Sequence, residues 1–165
     1  MGYIFIIKMK QENEVLKYMS LAISQAIKAN SINEVPVGAI IIQDDKVIGY
    51  GFNRVIQRKS VSAHAEIEAI NSASRFLDNY RLNGCDLFVT LEPCHMCAKA
   101  IVDARIRRLY FGAYEPKSGA IESIDKFYER DDLNHTVYSS GGHMEEQCAL
   151  LLKDFFQLRR CLLYT

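Results

Sequence analysis

Apolar residues recur at spacings of three and four along 14 to 29, with Val15, Met19, Ala22, Ala26 and Ala29 joined by Leu16, Ile23 and Ile27. That is the period of an amphipathic helix, and its apolar stripe should face a sheet. The pattern then changes. "VGAIIIQ" (37 to 43) and "KVIGYGF" (46 to 52) are β-rich runs split by Asp44-Asp45, which predicts an antiparallel hairpin. After an irregular basic loop, "SAHAEIEAINSASRFL" (62 to 77) predicts a second helix opened by a capping Ser62. "DLFVT" (86 to 90) reads as a short buried strand. The segment starting at Pro93 and running through "CAKAIVDA" (97 to 104) reads as a third helix, and "RLYFGA" (108 to 113) as another strand. Strand, helix and strand in such close succession predict a parallel crossover. Beyond the loop "AYEPKSGAIES", a helix is expected around 121 to 128 and a last strand at "HTVYS" (135 to 139). The terminal segment "MEEQCALLLKDFFQLRR" (144 to 160) has acids in its first turn and Arg159 and Arg160 in its last, matching the macrodipole preference of a helix. The order αββαβαβαβα, with no repeat, linker or low-complexity tract, is that of one three-layer α/β domain.

Length and composition agree with a single domain over residues 1 to 165, since 165 residues with 49% hydrophobic content suit one sizeable core. In the opening "MGYIFIIKMK", the run Tyr3 to Ile7 is too short for a membrane span or a signal-peptide core. Ile6 stands where a myristoylation signal needs Ser or Thr. Residues 1 to 10 therefore read as a non-essential N-terminal extension, with Met9 an alternative start and no membrane association. Five cysteines without a secretory signal argue against a disulfide framework and for a reducing compartment, so the cytoplasm is expected. A formal net charge of zero means that any nucleic-acid surface must be local. Arg105, Arg107 and Arg108 could form such a patch or an ordinary solvated face.

The stretch "LEPCHMC" (91 to 97) concentrates metal-binding residue types. On a helix, positions three apart share a face, so Cys94 and Cys97 converge, while His95 is rotated away by about 100°. Two thiolates leave zinc incomplete, and the remaining histidines are His64, His135 and His143. His64 opens the second helix, and in a strand-helix-strand unit neighbouring helix starts meet at the carboxyl ends of the strands. A His/Cys/Cys set leaves one tetrahedral position of zinc for water, the mark of a catalytic site. Glu66, which would not bind the metal, is then placed to accept and return a proton. His64 and Glu66 are two apart, so they converge only if His64 sits at an irregular helix start. A CxxC alone could be redox-active or half of a structural zinc site; "HAE" and "PCxxC" at two helix starts of one unit favour catalysis. Cys85, Cys148 and Cys161 read as packing or bystander thiols.

The HxE and PCxxC pair resembles the signature of the zinc deaminases. With "EVPVGAIII", "GYGFNR", "NYRL", "YFGAYEPKSGA", "LNHTV" and "CALLLKDFFQLRR", the likeness covers nearly the whole chain beyond residue 10, and the chain is similar to the bacterial tRNA adenosine deaminases. That resemblance implies a cytidine deaminase-like three-layer α/β/α sandwich around a five-stranded mixed sheet. It implies a homodimer holding one zinc per subunit through His64, Cys94 and Cys97, no organic cofactor, and conversion of the wobble adenosine of a tRNA anticodon stem-loop to inosine. Glu66 would move protons and Asn53 would hydrogen-bond the flipped adenine. Leu91 matches a pocket-wall position, and Glu115, Lys117, His135 and Phe155 match segments lining the family's RNA groove. Unstacked bases need aromatic platforms and phosphates need cations, which Phe155, Phe156, Arg159 and Arg160 could provide, although core packing is an equal reading for Phe156. His95 stands where an apolar residue is common in the family.

Two rival readings share the zinc. One is a deaminase of a free base or nucleotide such as guanine, cytosine or deoxycytidylate, against which "LNHTV" and "FFQLRR" speak. The other is a non-catalytic RNA-binding protein that keeps zinc for stability, against which the intact Glu66 speaks.

Overall fold

In the computed structural model, which describes residues 2–163 and the side chains of residues 12–161, Asp44 and Asp45 both adopt left-handed backbone, φ 48° and 61°. Two such residues in succession suit the tight turn whose twist matches a hairpin. They join β1 (Gly38–Gln43) to β2 (Lys46–Phe52) in antiparallel register, with Gln43 opposite Lys46 and Gly38 opposite Phe52. The other edge of β1 pairs antiparallel with β3 (Asp86–Leu91). Beyond it, β3 runs parallel to β4 (Arg108–Ala113), and β4 parallel to β5 (Tyr138–Ser140). The result is a five-stranded mixed sheet in the order β2-β1-β3-β4-β5.

Alternation along the strands sends side chains to two separate cores. Ala39, Ile41, Leu87 and Val89 join one cluster with Ala65, Ala69 and Ala73 of α3 (Ala65–Leu77) and Ala98, Ile101 and Val102 of α4 (His95–Asp103). Ile40, Ile42 and Phe88 join the other with Tyr18, Met19 and Ala22 of α1 (Gly2–Ser31) and Cys148 of α5 (Glu145–Leu163). Helices thus cover both faces, which explains why β1 and β3 read as continuous apolar runs. This is the three-layer α/β/α sandwich expected from the sequence. Small residues set the spacing on the α3 side: a Cβ at Gly51 of β2 would collide with Ala65 O and Ala69 N, so only glycine lets the start of α3 approach so closely.

Several expectations are corrected. The first helix extends back to Gly2 rather than beginning near residue 14; the reading of residues 1 to 10 as dispensable rests on side chains outside the described ones. The basic loop contains a short helix, α2 (Val55–Arg58), which was not foreseen. No helix forms over 121 to 128. Ile124 N–H donates to Gly119 O and Phe127 N–H to Ala120 O, spacings of five and seven residues instead of the four of an α-helix, and only a 3-10 turn at Phe127–Glu129 follows. The amides of residues 121 to 123 are held by a buried carboxylate instead. The last strand is also displaced, from 135–139 to Tyr138–Ser140.

Candidate active site

The start of α3 resolves the geometric difficulty posed by His64 and Glu66. His64 is the N-cap residue, with extended backbone (φ −77°, ψ 156°), and Ala65 is the first helical residue. Ser62, expected as the cap, lies outside the helix. Because His64 is not on the helical spiral, its side chain can turn toward the face that Glu66 presents. Cys94 occupies the same position on α4, again extended (φ −74°, ψ 171°), with Cys97 in the first turn. Neither His64 nor Cys94 caps its own helix with its side chain. Their side chains turn toward each other.

His64 Nδ1 lies 3.8 Å from Cys94 Sγ and 3.5 Å from Cys97 Sγ. Among the described residues this is the one His/Cys/Asp/Glu group whose ligand atoms fall within 4.8 Å of one another in a set that could hold a metal. With Zn–S near 2.3 Å and Zn–N near 2.0–2.1 Å, tetrahedral coordination calls for a nitrogen-to-sulfur edge of about 3.6 Å. Both distances match that edge, so the donor set fits zinc in element type and in spacing. The hydrogen bond from the Cys97 thiol, aided by His64, pulls the Cys94 thiol down to about 3. The same contact with Cys94, together with burial, pushes Cys97 up. The two sulfurs and His64 Nδ1 all lie within 4.8 Å of one another, close enough to ligate one thiophilic cation. The Cys94 contact also raises the His64 imidazole against its burial.

Glu66 is 4% exposed, and burial pushes its carboxyl up to about 7, against the pull of its own backbone hydrogen bond, His64 and Cys97. His64, Glu66 and Cys94 border a cavity of about 310 Å³, at the lower end of the size range of small-molecule sites, about 300–1,000 Å³. It opens at the carboxyl ends of β3 and β4, where α/β sheets bind ligands.

Of the other sequence-derived candidates, Asn53, Leu91 and Glu115 line this cavity. Asn53 Oδ1 accepts the Ala65 N–H at 2.9 Å, which fixes the amide and leaves its NH₂ group as the donor for a ligand. Lys117 is exposed, its N–H donating to Glu115 Oε1 at 3.0 Å. His135 pairs through Nε2 with Ile106 O at 2.7 Å. Phe155 is buried in the packing of α5, edge-on to Phe156 and beneath the Arg159 guanidinium. Neither His135 nor Phe155 reaches the cavity wall. Arg159 donates to Asn33 O, Arg105 to Asn134 O, and Arg107 forks onto Asp86, so these cations have internal partners. His95 points outward to Asp125 at 3.1 Å.

Reading the sequence missed Glu34, Glu92 and the α2 residues Val55 and Ile56, all on the cavity wall. The acids carried a signal in hindsight: each sits beside an apolar or proline residue, where a solvated acid is out of place. A larger hollow of about 710 Å³ lies at the opposite end of the sheet, beside Asp86, Arg107 and Tyr110, with no metal-ligand set among its described residues.

Comparison with known proteins agrees with this geometry. The model of the MafB19-like deaminases matches residues 13–160. The chain is 44% identical over 145 residues to a tRNA-specific adenosine deaminase of Haemophilus influenzae, covering 87% of this chain and 84% of that protein. It is 45% identical over 143 residues to one from Agrobacterium fabrum, covering 87% and 94%. A solved structure from studies of A-to-I editing by tRNA:A34 deaminases at the wobble position superposes with a TM-score of 0.80 and 45% identity, over 82% of this chain and 99% of that one. The chain is a deaminase with the cytidine deaminase-like fold, and it belongs to the MafB19-like deaminases and to the tRNA-specific adenosine deaminase family.

Proposed function

We propose that this protein hydrolyses the wobble adenosine of a tRNA anticodon loop to inosine, with His64, Cys94 and Cys97 holding one zinc ion. The observation that carries this reading is the convergence of those three ligand atoms beside a buried, non-ligating Glu66 at the wall of one cavity. Zinc in such a set supplies a water acidic enough to act as a nucleophile at neutral pH. With zinc held there, Glu66 would accept a proton from the attacking water, deliver it to N1 of the purine and then assist the departing amine. Water adds at C6, the C6–N bond breaks, and ammonia and inosine result. Asn53, its oxygen engaged by the Ala65 amide, donates from its NH₂ group to an acceptor nitrogen of the flipped base. Leu91 and Glu115 line the cavity, where Leu91 would give the base an apolar wall, while Lys117, exposed outside it, would meet a phosphate of the loop.

The protein would work as a homodimer, as the family resemblance of its sequence implies. Cys85, Cys94, Cys97 and Cys148 form no disulfide, which is in keeping with a reducing, cytoplasmic setting. Among the described residues, no helix is long and apolar enough to cross a membrane.

Incubating the zinc-loaded protein with an anticodon stem-loop carrying a wobble adenosine, beside free adenosine, guanine and cytosine, tests the assignment. Inosine in the stem-loop with little turnover of the small compounds is expected. Preferential turnover of a free base or nucleoside overturns the tRNA reading.

A further inference from the structure

Glu92 shares the cavity wall with Glu66, yet its surroundings are of another kind. It is 2% exposed. Its Oε1 accepts the N–H groups of Ile121 at 3.1 Å, Glu122 at 2.7 Å and Ser123 at 2.9 Å. Its Oε2 accepts the Glu115 N–H at 3.0 Å and the Ser123 hydroxyl. A carboxylate offers about four lone-pair sites, so these donors saturate it and leave no room for a substrate proton. Gly119 completes the wrap, because a Cβ there would run into the carboxylate itself. The main chain follows the same seam, with Glu92 N–H on Ala113 O and Ala120 N–H on Pro93 O, both at 2.9 Å.

The segment so gathered, residues 115 to 123, contributes Glu115 and Ser118 to the cavity wall. Its far anchor is the turn that leads through Pro93 to Cys94. His64, Glu66 and Cys97 are carried by the starts of α3 and α4. We propose that Glu92 is a positioning residue for substrate: its carboxylate ties the 115–123 segment to the metal-binding turn and so sets the shape of the mouth that receives the RNA. A glutamine here would turn an NH₂ group toward backbone N–H donors, leaving some of them unpaired and the segment free to shift.

This inference rests on the RNA deaminase reading, and its test separates the two. In zinc-loaded Glu92→Gln, KM for the anticodon stem-loop should rise about tenfold or more while kcat stays within about threefold and zinc content is unchanged. Ser123→Ala, which removes one donor from an exposed position, should show the same split at about threefold. The two effects should be less than additive in the double variant, since both act through one carboxylate. An unchanged KM in Ser123→Ala and Glu92→Gln overturns the proposal, as does a fall in kcat that tracks loss of zinc. If the wild type is inert toward the stem-loop, the substrate reading fails, and hydrogen exchange still decides the role of Glu92. Amides of Ile121, Glu122 and Ser123 should lose protection in Glu92→Gln while those of α4 keep theirs, and equal protection in both proteins overturns it.

Discussion

His64 and Cys94 are the N-cap residues of α3 and α4, and their side chains meet with Nδ1 3.8 Å from Sγ. Residues thirty apart in the chain thus face each other where two helices begin. The partial positive charge at both helix starts favours thiolate and carboxylate there, so the local fold and the proposed metal chemistry support one another.

Removing the metal should therefore abolish deamination without unfolding the sheet. Chelation is expected to strip one zinc per chain, lower the melting temperature by the lost binding free energy, and leave a protein that zinc reactivates. Atomic absorption, calorimetry and the stem-loop assay on one preparation check this. Full activity in the stripped protein would contradict a catalytic metal.

The spacing of α3 from β2 depends on Gly51, where a Cβ would strike Ala65 O and Ala69 N. Gly51→Ala should cost about 1–3 kcal/mol of stability, as overpacking does, and weaken zinc binding because His64 precedes the displaced turn. Urea unfolding and a zinc titration measure the two effects. A variant as stable as the wild type, with unaltered zinc affinity, would show that α3 can move aside freely.

Phe155 and Phe156 should separate cleanly. Phe155, 5% exposed beneath Arg159, is expected to lose about 3 kcal/mol on truncation to alanine. Phe156, 46% exposed, should lose no more than about 0.5 kcal/mol. Chemical denaturation gives both values, and RNA binding measured beside them tells which ring serves as a base platform. A stable Phe155→Ala that has lost RNA affinity would restore the platform role to Phe155.

His143 sets a pH response away from the metal. Its Nε2 faces Ser140 Oγ at 2.8 Å and its ring meets Tyr110 edge-on, and burial holds the imidazole below its ordinary 6.5. Below that value the unfolded chain takes up a proton that the folded chain resists, so this contribution is complete above 6.5 and shrinks as pH falls toward the lower folded value. Between about pH 7 and about pH 5.5 the melting temperature of the wild type should fall more than that of His143→Gln. Parallel curves would remove His143 from the account.

Much of this molecule was readable from local pattern. The Asp44-Asp45 hairpin, the strands at 86 and 108 and the helices between them follow from periodicity and turn chemistry, which act over a few residues. Pairing HAE with PCxxC anticipated that His64, Cys94 and Cys97 come together, because helix starts in a strand-helix-strand unit have few places to go. Where the sequence misled, tertiary contacts had overridden local preference. Residues 121 to 128 have helical composition, but three successive amides there bind Glu92, a residue some thirty positions earlier. In α5, Phe155 and Arg159 are engaged with each other and with Asn33, contacts that the aromatic and basic character of the helix does not announce. Composition does not reveal which partner a side chain finds.

Glu66 gives the most direct test, since it touches no metal in this account and yet handles every proton. Glu66→Ala, brought to the same zinc content as the wild type, should lose inosine formation in the stem-loop by about a hundredfold or more. Inosine produced by that variant at the wild-type rate would contradict the claim that this buried carboxylate is the proton carrier.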